Sequence, residues 1–334
     1  MDTSSPYDDC RLCPFACGVD RHTALGRCGE GADLRLAFAG LHCGEEPPFS
    51  GSSGSGTIFV SGCNLGCPLC QNWQISRGEP GSKALGRSIS PEEFAALCLE
   101  LQNRGAENIN IVTGSHAAPA LARGLLAARA GGLRIPALWN SSGYEGLVSL
   151  EILEGYIDIW LPDLKTLDSD LAARFFRAPD YPQVASEAIR WMLARPDREV
   201  MIRHLILPAH LESTRSVLRW FADNAAPRAR LSLMSQYTPI RAKETSPIGP
   251  GRYLSRREYD TVLGWLGEFG ISEGFCQDFV TGSDWLPDFR RPNPFPSALS
   301  VPVWHYEGEF GNRTGDSLYE PAVTEFPGNT LEGD

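Results

Sequence analysis

The sequence predicts an α/β fold, a partial (β/α)6 barrel with a Cys-rich N-terminal segment and an irregular C-terminal tail. Short apolar runs alternate with longer helical patterns from residue 57 to about 280. Most of these runs are almost continuously apolar, as expected for parallel strands that are covered on both faces. Six βα units favour a partial barrel, although an open doubly wound sheet produces the same pattern.

Six strands are predicted, and an apolar run at 271–277 adds a candidate seventh. In chain order the six runs are 57–60, 108–113, 135–139, 156–161, 199–207 and 230–235. Ser90 and Glu93 predict a helix start, because a serine N-cap is followed by a proline and, three residues on, by a glutamate. Ser255 and Glu258 repeat this spacing. Further helical patterns cover about 117–130, 182–195 and 211–224.

The two ends of the chain differ in composition from the repeat, so three regions are predicted. Residues 1–50 are rich in Cys and Gly and are predicted to form a metal-binding segment, and residues 51–281 form the barrel. Residues 282–334 hold seven prolines and nine acidic against three basic residues, a composition that suits neither a core nor regular structure. They are predicted to be a Pro-rich acidic extension.

Composition excludes several classes of partner. The 30 Lys and Arg against 41 Asp and Glu give a net charge of −11, which disfavours broad binding to nucleic acids or anionic membranes. No stretch offers the roughly 20 apolar residues that span a bilayer, and the start MDTSSPYDDC lacks the apolar region of a signal peptide. We therefore expect a cytoplasmic protein whose ten cysteines are metal ligands or reactive thiols.

A cysteine triad follows the first predicted strand, at the edge of a barrel where functional groups collect. Cys63, Cys67 and Cys70 lie in SGCNLGCPLCQNW, with three and then two residues between them. Three thiolates hold three irons of a 4Fe–4S cluster and leave the fourth iron open to an exogenous ligand. From the residues alone, the alternative is a zinc site that takes a fourth ligand from elsewhere.

This motif at the end of the first strand of a βα repeat resembles that of the radical S-adenosylmethionine (AdoMet) superfamily. The resemblance implies a barrel of the radical SAM type, in which the amino and carboxylate groups of AdoMet chelate the open iron. It also implies that an electron from the cluster cleaves AdoMet to methionine and a 5′-deoxyadenosyl radical, which abstracts hydrogen from a substrate. The protein then supplies binding, orientation and exclusion of water.

Further segments, from residue 10 to about 280, resemble a group in this superfamily described as related to pyruvate formate-lyase activating enzyme. They are CRLCPFACGVDR, the H-x-x-E-E-P element at 42–47, SGCNLGCPLCQNWQIS, WNSSGYE, DIWLPDLK, IRHLILPAH and LSLMSQYTP. Two positions depart from the superfamily pattern. Leu69 stands where an aromatic residue is usual, and TGSH at 113–116 replaces a Gly-Gly-Glu element.

The resemblance implies that AdoMet-binding residues come from the ends of successive strands. The candidates are Asn72, Thr113, Gly114, Ser115, Asn140, Asp163, Lys165, Arg203, Met234 and Gln236. Asp163 and Lys165 correspond to an Asp-x-Lys element, with a solvated loop pair as the alternative. Arg203 is expected inside the barrel, in place of His204, and to pair with the methionine carboxylate; a cap for buried carboxylates is the alternative.

A cysteine tetrad lies near the start of the chain. Four thiolates within 19 residues can close one tetrahedral zinc site or one fully ligated 4Fe–4S cluster, and either would stabilise a segment too short for its own core. The tetrad is Cys10, Cys13, Cys17 and Cys28, with Cys43 as a substitute ligand. Unrelated free cysteines are the alternative.

The sequence therefore predicts a radical SAM iron–sulfur enzyme whose cofactors are a 4Fe–4S cluster and AdoMet, with a second 4Fe–4S cluster or zinc at the N-terminal cysteines. A glycyl-radical enzyme, another peptide or a small molecule is the expected substrate, and a flavodoxin or ferredoxin the expected reductant. His42 and His116 are expected to be hydrogen-bonded loop residues, and Cys98 a buried structural thiol. The alternative function is a non-catalytic zinc or iron–sulfur binding module.

Overall fold

The computed structural model describes residues 5–78, 81–240, 249–296, 298–309 and 323–325. The strands in these residues are β1 Leu34–His42, β2 Ser55–Val60, β3 Arg87–Ile89, β4 Ile109–Val112, β5 Ala137–Ser141, β6 Ile159–Pro162, β7 Glu199–Leu205, β8 Arg230–Met234, β9 Gly274–Gln277, β10 Ser300–His305, β11 Gly308–Glu309 and β12 Val323–Glu325. The helices are α1 Pro47–Ser50, α2 Trp73–Ser76, α3 Pro91–Asn103, α4 Ala118–Ala130, α5 Leu147–Leu153, α6 Ser169–Phe176, α7 Tyr181–Leu193, α8 Leu211–Asn224 and α9 Arg256–Glu268. A short 3-10 helix, Ser115–Ala117, precedes α4.

The strands form one sheet in the order β11-β10-β1-β2-β4-β5-β6-β7-β8-β9-β12, with β3 beside β1. From β2 to β9, apart from β3, neighbouring strands pair in parallel. In the described part of the chain, antiparallel strands β1 and β12 flank this parallel array, so β2 and β9 do not close on each other. The prediction of a partial barrel is confirmed, and the run at 271–277 supplies a seventh parallel strand.

Helix α3 begins where the sequence predicts. The Ser90 Oγ accepts a hydrogen bond from the Glu93 amide at 3.1 Å, and the Glu93 carboxylate accepts one from the Ser90 amide at 2.7 Å. The helix buries Phe94, Cys98 and Leu101 against the outside of the sheet. Each large apolar side chain buried in this way contributes roughly 1.5–3 kcal/mol to folding. None of the helices in the described residues is long and apolar enough to cross a membrane.

Side chains alternate along the strands between two cores. Outward residues such as Ile58, Ile111 and Trp139 pack beneath the helices. The inward residues Leu138, Leu161, Met201 and Phe275 pack together with Phe49 of α1. This inner cluster fills the end of the barrel at which the parallel strands begin, and it leaves the opposite end for polar groups.

Strands β1 and β10 come from the regions predicted to be irregular. Strand β1 pairs with both β2 and β10, which joins residues 34–42 to residues 300–305. A Cβ atom at Gly40 would lie 2.6 Å from the Val301 carbonyl oxygen, so glycine permits this close approach. The C-terminal extension thus contributes a strand to the sheet, and its Phe289 is fully buried.

Candidate functional site

The cysteine triad lies in the loop that follows β2, at the carboxyl ends of the parallel strands. Cys63 is buried, while Cys67 and Cys70 are partly exposed. All three line a cavity of about 640 Å³ that opens within the barrel. Functional groups of a βα barrel collect at this end because the βα loops converge there. The triad therefore faces an internal space that is large enough for a small ligand.

The thiols of the triad are placed for a polynuclear centre. Two sulfurs bonded to one zinc at about 2.3 Å each lie at most about 4.6 Å apart. Within the described residues, only Asp8, Asp20 and His22 bring three potential ligand atoms within 4.8 Å of one another, so the three thiols are spread more widely. This spread fits ligands that each bind a different iron of a cluster.

Burial acts against charge on these thiols. It raises the pKa of Cys67 and of Cys70, and the neighbouring Cys63 thiol adds to the effect at both. The Lys165 ammonium acts in the opposite direction, although it does not outweigh burial. A positive centre beside Cys67 and Cys70 would favour their thiolate forms, which are the forms that bind metals.

The same cavity brings most of the predicted AdoMet residues to the triad. Those that line it are Asn72, Thr113, Asn140, Asp163, Lys165, Arg203, Met234 and Gln236. The amide of Gln71, next to the triad, also donates to the Gln236 carbonyl at 3.3 Å, which ties the loop after β2 to the end of β8. Residues up to 165 positions apart in the chain thus share one site.

Gly114 and Ser115 are predicted AdoMet residues that do not line this cavity. A Cβ atom at Gly114 would lie 2.6 Å from Leu121 and 2.7 Å from Trp139, so this glycine packs against the outer core. Ser115 is buried and its hydroxyl donates to the Glu145 carboxylate at 2.7 Å. The chain turns away from the cavity after Thr113, whose φ of 60° begins that turn. Sequence position at a strand end did not reveal this turn.

Asp163 and Lys165 form an ion pair at the end of β6. Burial disfavours the charged ammonium of Lys165, but Asp163 outweighs this effect and the pKa of Lys165 is raised. The Tyr181 hydroxyl fixes the loop, since it accepts from the Lys165 amide at 3.0 Å and lies 2.9 Å from the Asp163 carbonyl oxygen. A carboxylate and an ammonium are thereby held together at the cavity wall.

Arg203 faces the cavity, as predicted, but its partners differ from those expected. Its guanidinium forms ion pairs with the carboxylates of Glu45 and Glu46. Burial opposes the charge of Arg203, and the two carboxylates outweigh it and raise its pKa; Arg203 in turn outweighs burial at Glu46, whose pKa is lowered. Arg203 thus pairs with buried carboxylates, which was the alternative, and its pairing with the methionine carboxylate stays a prediction.

Sequence reasoning missed the contribution of residues 42–46 to this site. His42, Glu45 and Glu46 follow β1 and reach the cavity because β1 runs antiparallel to β2. The Glu45 carboxylate also accepts from the Asn110 amide at 2.9 Å. Within the described residues the Nδ1 atom of His42 has no hydrogen-bond partner, and burial lowers the pKa of this ring. The H-x-x-E-E-P element was the available signal, but nothing local indicated that it lines the barrel.

The other two histidines that the sequence singled out lie outside the cavity lining. His204 points away from the barrel interior, with its ring nitrogens 2.7 Å from the Leu164 carbonyl and 3.0 Å from the Thr214 hydroxyl. His116 donates from Nε2 to the Ser61 carbonyl at 2.7 Å. Burial, followed by the nearby Arg21, lowers the pKa of His116 to about 3. Both rings are therefore neutral structural groups near pH 7.

The C-terminal extension closes one wall of the cavity. Its contribution includes an aromatic and proline-rich group, Trp285, Pro287, Phe295 and Pro296. The Phe295 ring lies 4.7 Å from the ring of His42, measured between centroids. This wall lies on the side where β2 and β9 remain apart, so the extension narrows an opening that a partial barrel leaves.

The cysteine tetrad lies beside the cavity and does not line it. Cys10 and Cys28 are buried, while Cys13 and Cys17 are partly exposed. The segment that carries the tetrad packs on the loop after β5, since Ser149 donates to the Leu12 carbonyl at 2.6 Å and the Phe15 ring lies 5.3 Å from that of Tyr144. Cys98 is fully buried on α3, and Cys43 is buried beyond β1.

Comparisons with known proteins agree with the site. The sequence model of the radical SAM superfamily matches residues 57–221, which include the triad and strands β2 to β7. An uncharacterized protein of Methanocaldococcus jannaschii is 30% identical over 260 residues, which cover 77% of this chain and 74% of that protein.

Solved structures of similar fold share less sequence. SuiB of Streptococcus suis bound to S-adenosylmethionine matches with a TM-score of 0.47 and 15% identity, over 64% of this chain and 48% of SuiB. A radical SAM methyltransferase of Sphaerobacter thermophilus matches with a TM-score of 0.48 and 16% identity, over 67% of this chain and 66% of that one. This chain thus spans about half the length of SuiB.

Proposed function

Because this chain belongs to the radical SAM superfamily, we propose that it is an enzyme that cleaves AdoMet reductively and uses the product to abstract hydrogen from a substrate. When bound, a 4Fe–4S cluster with one open iron supplies the electron that converts AdoMet to methionine and a 5′-deoxyadenosyl radical. The observation that carries the proposal is the convergence of the triad with eight predicted AdoMet residues on one cavity.

Cys63, Cys67 and Cys70 are the proposed ligands of three irons. They come from one loop, they face the cavity, and their three sulfurs do not all lie within 4.8 Å of one another. The Ser76 hydroxyl lies 3.4 Å from the Cys70 sulfur, which gives this thiolate a hydrogen-bond donor. The chain thus provides three anionic ligands and a support for one of them.

Asp163 and Lys165 are proposed to bind the polar groups of AdoMet. Their paired charges complement the amino and carboxylate groups of the methionine moiety, and Tyr181 holds the loop in place. Met234 and Leu205 add apolar surface to the same wall. An apolar wall around the reacting groups excludes water and thereby strengthens the electrostatic interactions inside the site.

Arg203 and its two carboxylate partners are proposed to maintain the shape of one polar wall of the cavity, which we call its floor. Glu45, Glu46 and Arg203 satisfy one another, with two carboxylates against one guanidinium. Because these side chains are mutually paired, the floor keeps a fixed shape when the ligand enters. Arg203 therefore acts as a positioning residue.

We further propose that the substrate is a small molecule or an extended peptide segment, which includes the glycine loop of a glycyl-radical enzyme. The C-terminal extension supports this choice, because Trp285 and Phe295 narrow the open side of the barrel. A low-potential flavodoxin or ferredoxin is the proposed electron donor, the cytoplasm the proposed compartment, and the tetrad the proposed second metal site.

The test is anaerobic reconstitution of the full chain with iron and sulfide, reduction with dithionite, and quantification of 5′-deoxyadenosine and methionine from AdoMet. We expect equal amounts of the two products. The Cys98→Ala variant, which removes a buried thiol remote from the cavity, is the matched control and is expected to retain the activity. No 5′-deoxyadenosine from a fully loaded chain, alone or with cell-extract fractions that supply substrate, would support the non-catalytic binding module instead.

A further inference from the structure

We propose that the N-terminal cysteine tetrad holds a second 4Fe–4S cluster, and that electrons pass from it to the cluster of the triad. The tetrad is Cys10, Cys13, Cys17 and Cys28. The first half of the proposal concerns the metal centre alone. The second half, the transfer of electrons, rests on the function proposed above.

The four thiols of the tetrad converge on one space. The Cys10 amide donates to the Val19 carbonyl at 3.1 Å, and the Gly18 amide donates back to the Cys10 carbonyl at 3.0 Å, which folds residues 10–19 into a tight loop. Within this loop the Cys17 thiol lies 3.9 Å from the Cys10 carbonyl oxygen. The Arg21 guanidinium lies 3.8 Å from the Cys10 sulfur and donates to the Glu30 carbonyl at 3.2 Å, and the Cys28 thiol lies 3.9 Å from the same carbonyl oxygen, so Cys10 and Cys28 flank one guanidinium.

The spread of these thiols favours a cluster over zinc. Ligands of one zinc ion lie at most about 4.6 Å apart, as at the triad. Within the described residues no three of the four thiols lie within 4.8 Å of one another. In a 4Fe–4S cluster each thiolate binds a separate iron, so the sulfurs stand further apart. In neither group, therefore, do three sulfurs all lie within 4.8 Å of one another, and the tetrad offers a fourth ligand in addition.

A buried arginine provides the charge that this cluster requires. Arg21 is 2% exposed, and its guanidinium lies 3.8 Å from the Cys10 sulfur. Its remaining hydrogen bonds go to the carbonyl oxygens of Glu30, Gly31 and His116. Among the described residues no carboxylate lies within ion-pair distance of Arg21, whereas Arg203 has two. The Glu30 carboxylate pairs with Arg35 and acts on Arg21 only from further away, and the Tyr7 ring centroid lies 4.7 Å from the Arg21 guanidinium carbon.

An unpaired buried guanidinium is costly, because burial removes its hydration without an opposite charge. A cluster with four thiolate ligands carries net negative charge, and it would lie next to Arg21. The observation that Arg21 has thiols and carbonyls but no carboxylate therefore points to an anionic metal–thiolate centre at the tetrad.

The two cysteine groups are directly connected. The Cys63 amide donates to the Cys28 carbonyl at 3.3 Å, so one hydrogen bond joins a ligand of each centre. Arg77 spans the same junction, since it donates to the Arg27 carbonyl at 2.6 Å and to the Asn64 carbonyl at 3.4 Å. A Cβ atom at Gly62 would lie 2.3 Å from the Glu30 side chain, which shows how closely the two segments pack.

The arrangement gives electrons a route from the surface. Cys13 and Cys17 are partly exposed, while Cys28 contacts the triad. One electron from a low-potential protein donor reduces the cluster of the tetrad. That electron then passes to the cluster of the triad, which is reduced while the cluster of the tetrad returns to its oxidised state. No covalent bond forms or breaks in this transfer, and each step moves one electron.

Metal content tests the first half of the proposal. We expect about eight irons per anaerobically reconstituted chain, and about four in the Cys63→Ala/Cys67→Ala/Cys70→Ala variant. About four irons with about one zinc in the wild-type chain, or no bound iron in the variant, would overturn it. The wild-type count keeps the test valid if the triple variant fails to fold.

Reduction kinetics test the second half. The Cys13→Ser/Cys17→Ser variant alters the two more exposed ligands and is expected to keep about four irons at the triad. We expect reduction of that cluster by a reduced flavodoxin to slow severalfold, as followed by its electron paramagnetic resonance signal, while reduction by dithionite keeps its rate. An unchanged rate with flavodoxin, or equal slowing with both donors, would refute the transfer. Failure to cleave AdoMet with both clusters reduced would count against the proposed function alone.

Discussion

The cysteine triad and the cysteine tetrad differ in number of ligands, in position and in electrostatic surroundings. The triad lies at the carboxyl ends of parallel strands and faces a cavity, whereas the tetrad lies in a loop outside the parallel array. Three ligands leave one iron open for a small molecule, whereas four ligands close the cluster. On the proposed function, reaction chemistry belongs to the triad, and we propose that the tetrad serves electron transfer and the folding of its segment.

The two regions also use buried arginines differently. Arg203 in the barrel is neutralised by Glu45 and Glu46, so its surroundings are complete within the chain. Arg21 in the N-terminal segment contacts the Cys10 sulfur and carbonyl oxygens. Arg203 therefore has its opposite charges within the chain, whereas among the described residues no carboxylate lies within ion-pair distance of Arg21.

The largest expected effect comes from the triad. Cys67→Ala should abolish AdoMet cleavage and remove about four irons, because three ligands leave no redundancy. Product analysis and iron determination measure both effects. If this variant still cleaved AdoMet, the claim that the triad holds the cluster with the open iron would be wrong.

Removal of the barrel arginine should have the next largest effect. Arg203→Gln leaves two buried carboxylates without their partner, which should lower the free energy of unfolding by about 3–5 kcal/mol at pH 7.5. Urea denaturation of the reconstituted chain measures the change. Arg256→Gln, which breaks an exposed pair with Asp260, is the control and should cost less than about 1 kcal/mol.

The effect of Arg203→Gln should depend on pH. The pKa of Glu46 is lowered in the folded wild-type chain, so the stability from its pair with Arg203 is present above the ordinary value of 4.5 and is lost as pH falls through the lowered value. Without Arg203, burial raises the pKa of this carboxyl and favours its neutral form. The difference in free energy of unfolding between the wild-type chain and the variant should therefore decrease as pH falls from 7.5 toward 4.5. A difference that does not change with pH would contradict the assignment of a charged Glu46 paired with Arg203.

A smaller effect is expected at the wall of the cavity. Asp163→Asn removes the charge that pairs with Lys165 and should weaken AdoMet binding roughly 10- to 100-fold, which corresponds to the loss of one charge-assisted hydrogen bond of about 1.5–3 kcal/mol. Equilibrium binding to the loaded chain measures this, with Asp260→Asn as a surface control. The iron content should remain unchanged, and a parallel loss of iron would place Asp163 with the cluster.

The smallest effect concerns the junction of the two regions. His116 bonds to Ser61 near the triad and its carbonyl accepts from Arg21 near the tetrad. Because its pKa falls from 6.5 to about 3 on folding, the unfolded chain binds the extra proton and stability decreases as pH falls below 6.5. His116 accounts for about 1.4 kcal/mol of the loss between pH 7.5 and pH 5.5, and His204, whose pKa is lowered to about 4 by burial, adds a further loss. Urea midpoints should therefore show a loss of stability that is about 1.4 kcal/mol smaller in His116→Gln than in the wild-type chain.

The parallel array and the triad could be predicted from sequence because their signals are local. Each parallel strand is an apolar run, and the spacing of Cys63, Cys67 and Cys70 lies within eight residues. The capping pair of Ser90 and Glu93 was equally local and is present in the structure. Sequence patterns that span a single helical turn or a single strand were therefore sufficient to predict these features.

Features that depend on distant segments could not be predicted. Strand β1 pairs with β10 across more than 250 residues, and no periodicity in LRLAFAGLH indicates that partner. The pairing of β1 with β2 brings Glu45 and Glu46 to the cavity and to Arg203, and no local pattern indicates that contact. Gly114 and Ser115 do not line the cavity because the backbone turns outward after Thr113, and the sequence carries no mark of that turn.

The central claim is that the triad, and not the tetrad, presents an open iron to AdoMet. Mössbauer spectra of the chain reconstituted with ⁵⁷Fe, recorded before and after addition of AdoMet, test it most directly. We predict that about one iron in eight changes its spectrum, and that this change is absent in the Cys63→Ala/Cys67→Ala/Cys70→Ala variant. A spectrum that AdoMet leaves unaltered in the wild-type chain, or a change that persists in the variant, would contradict the account.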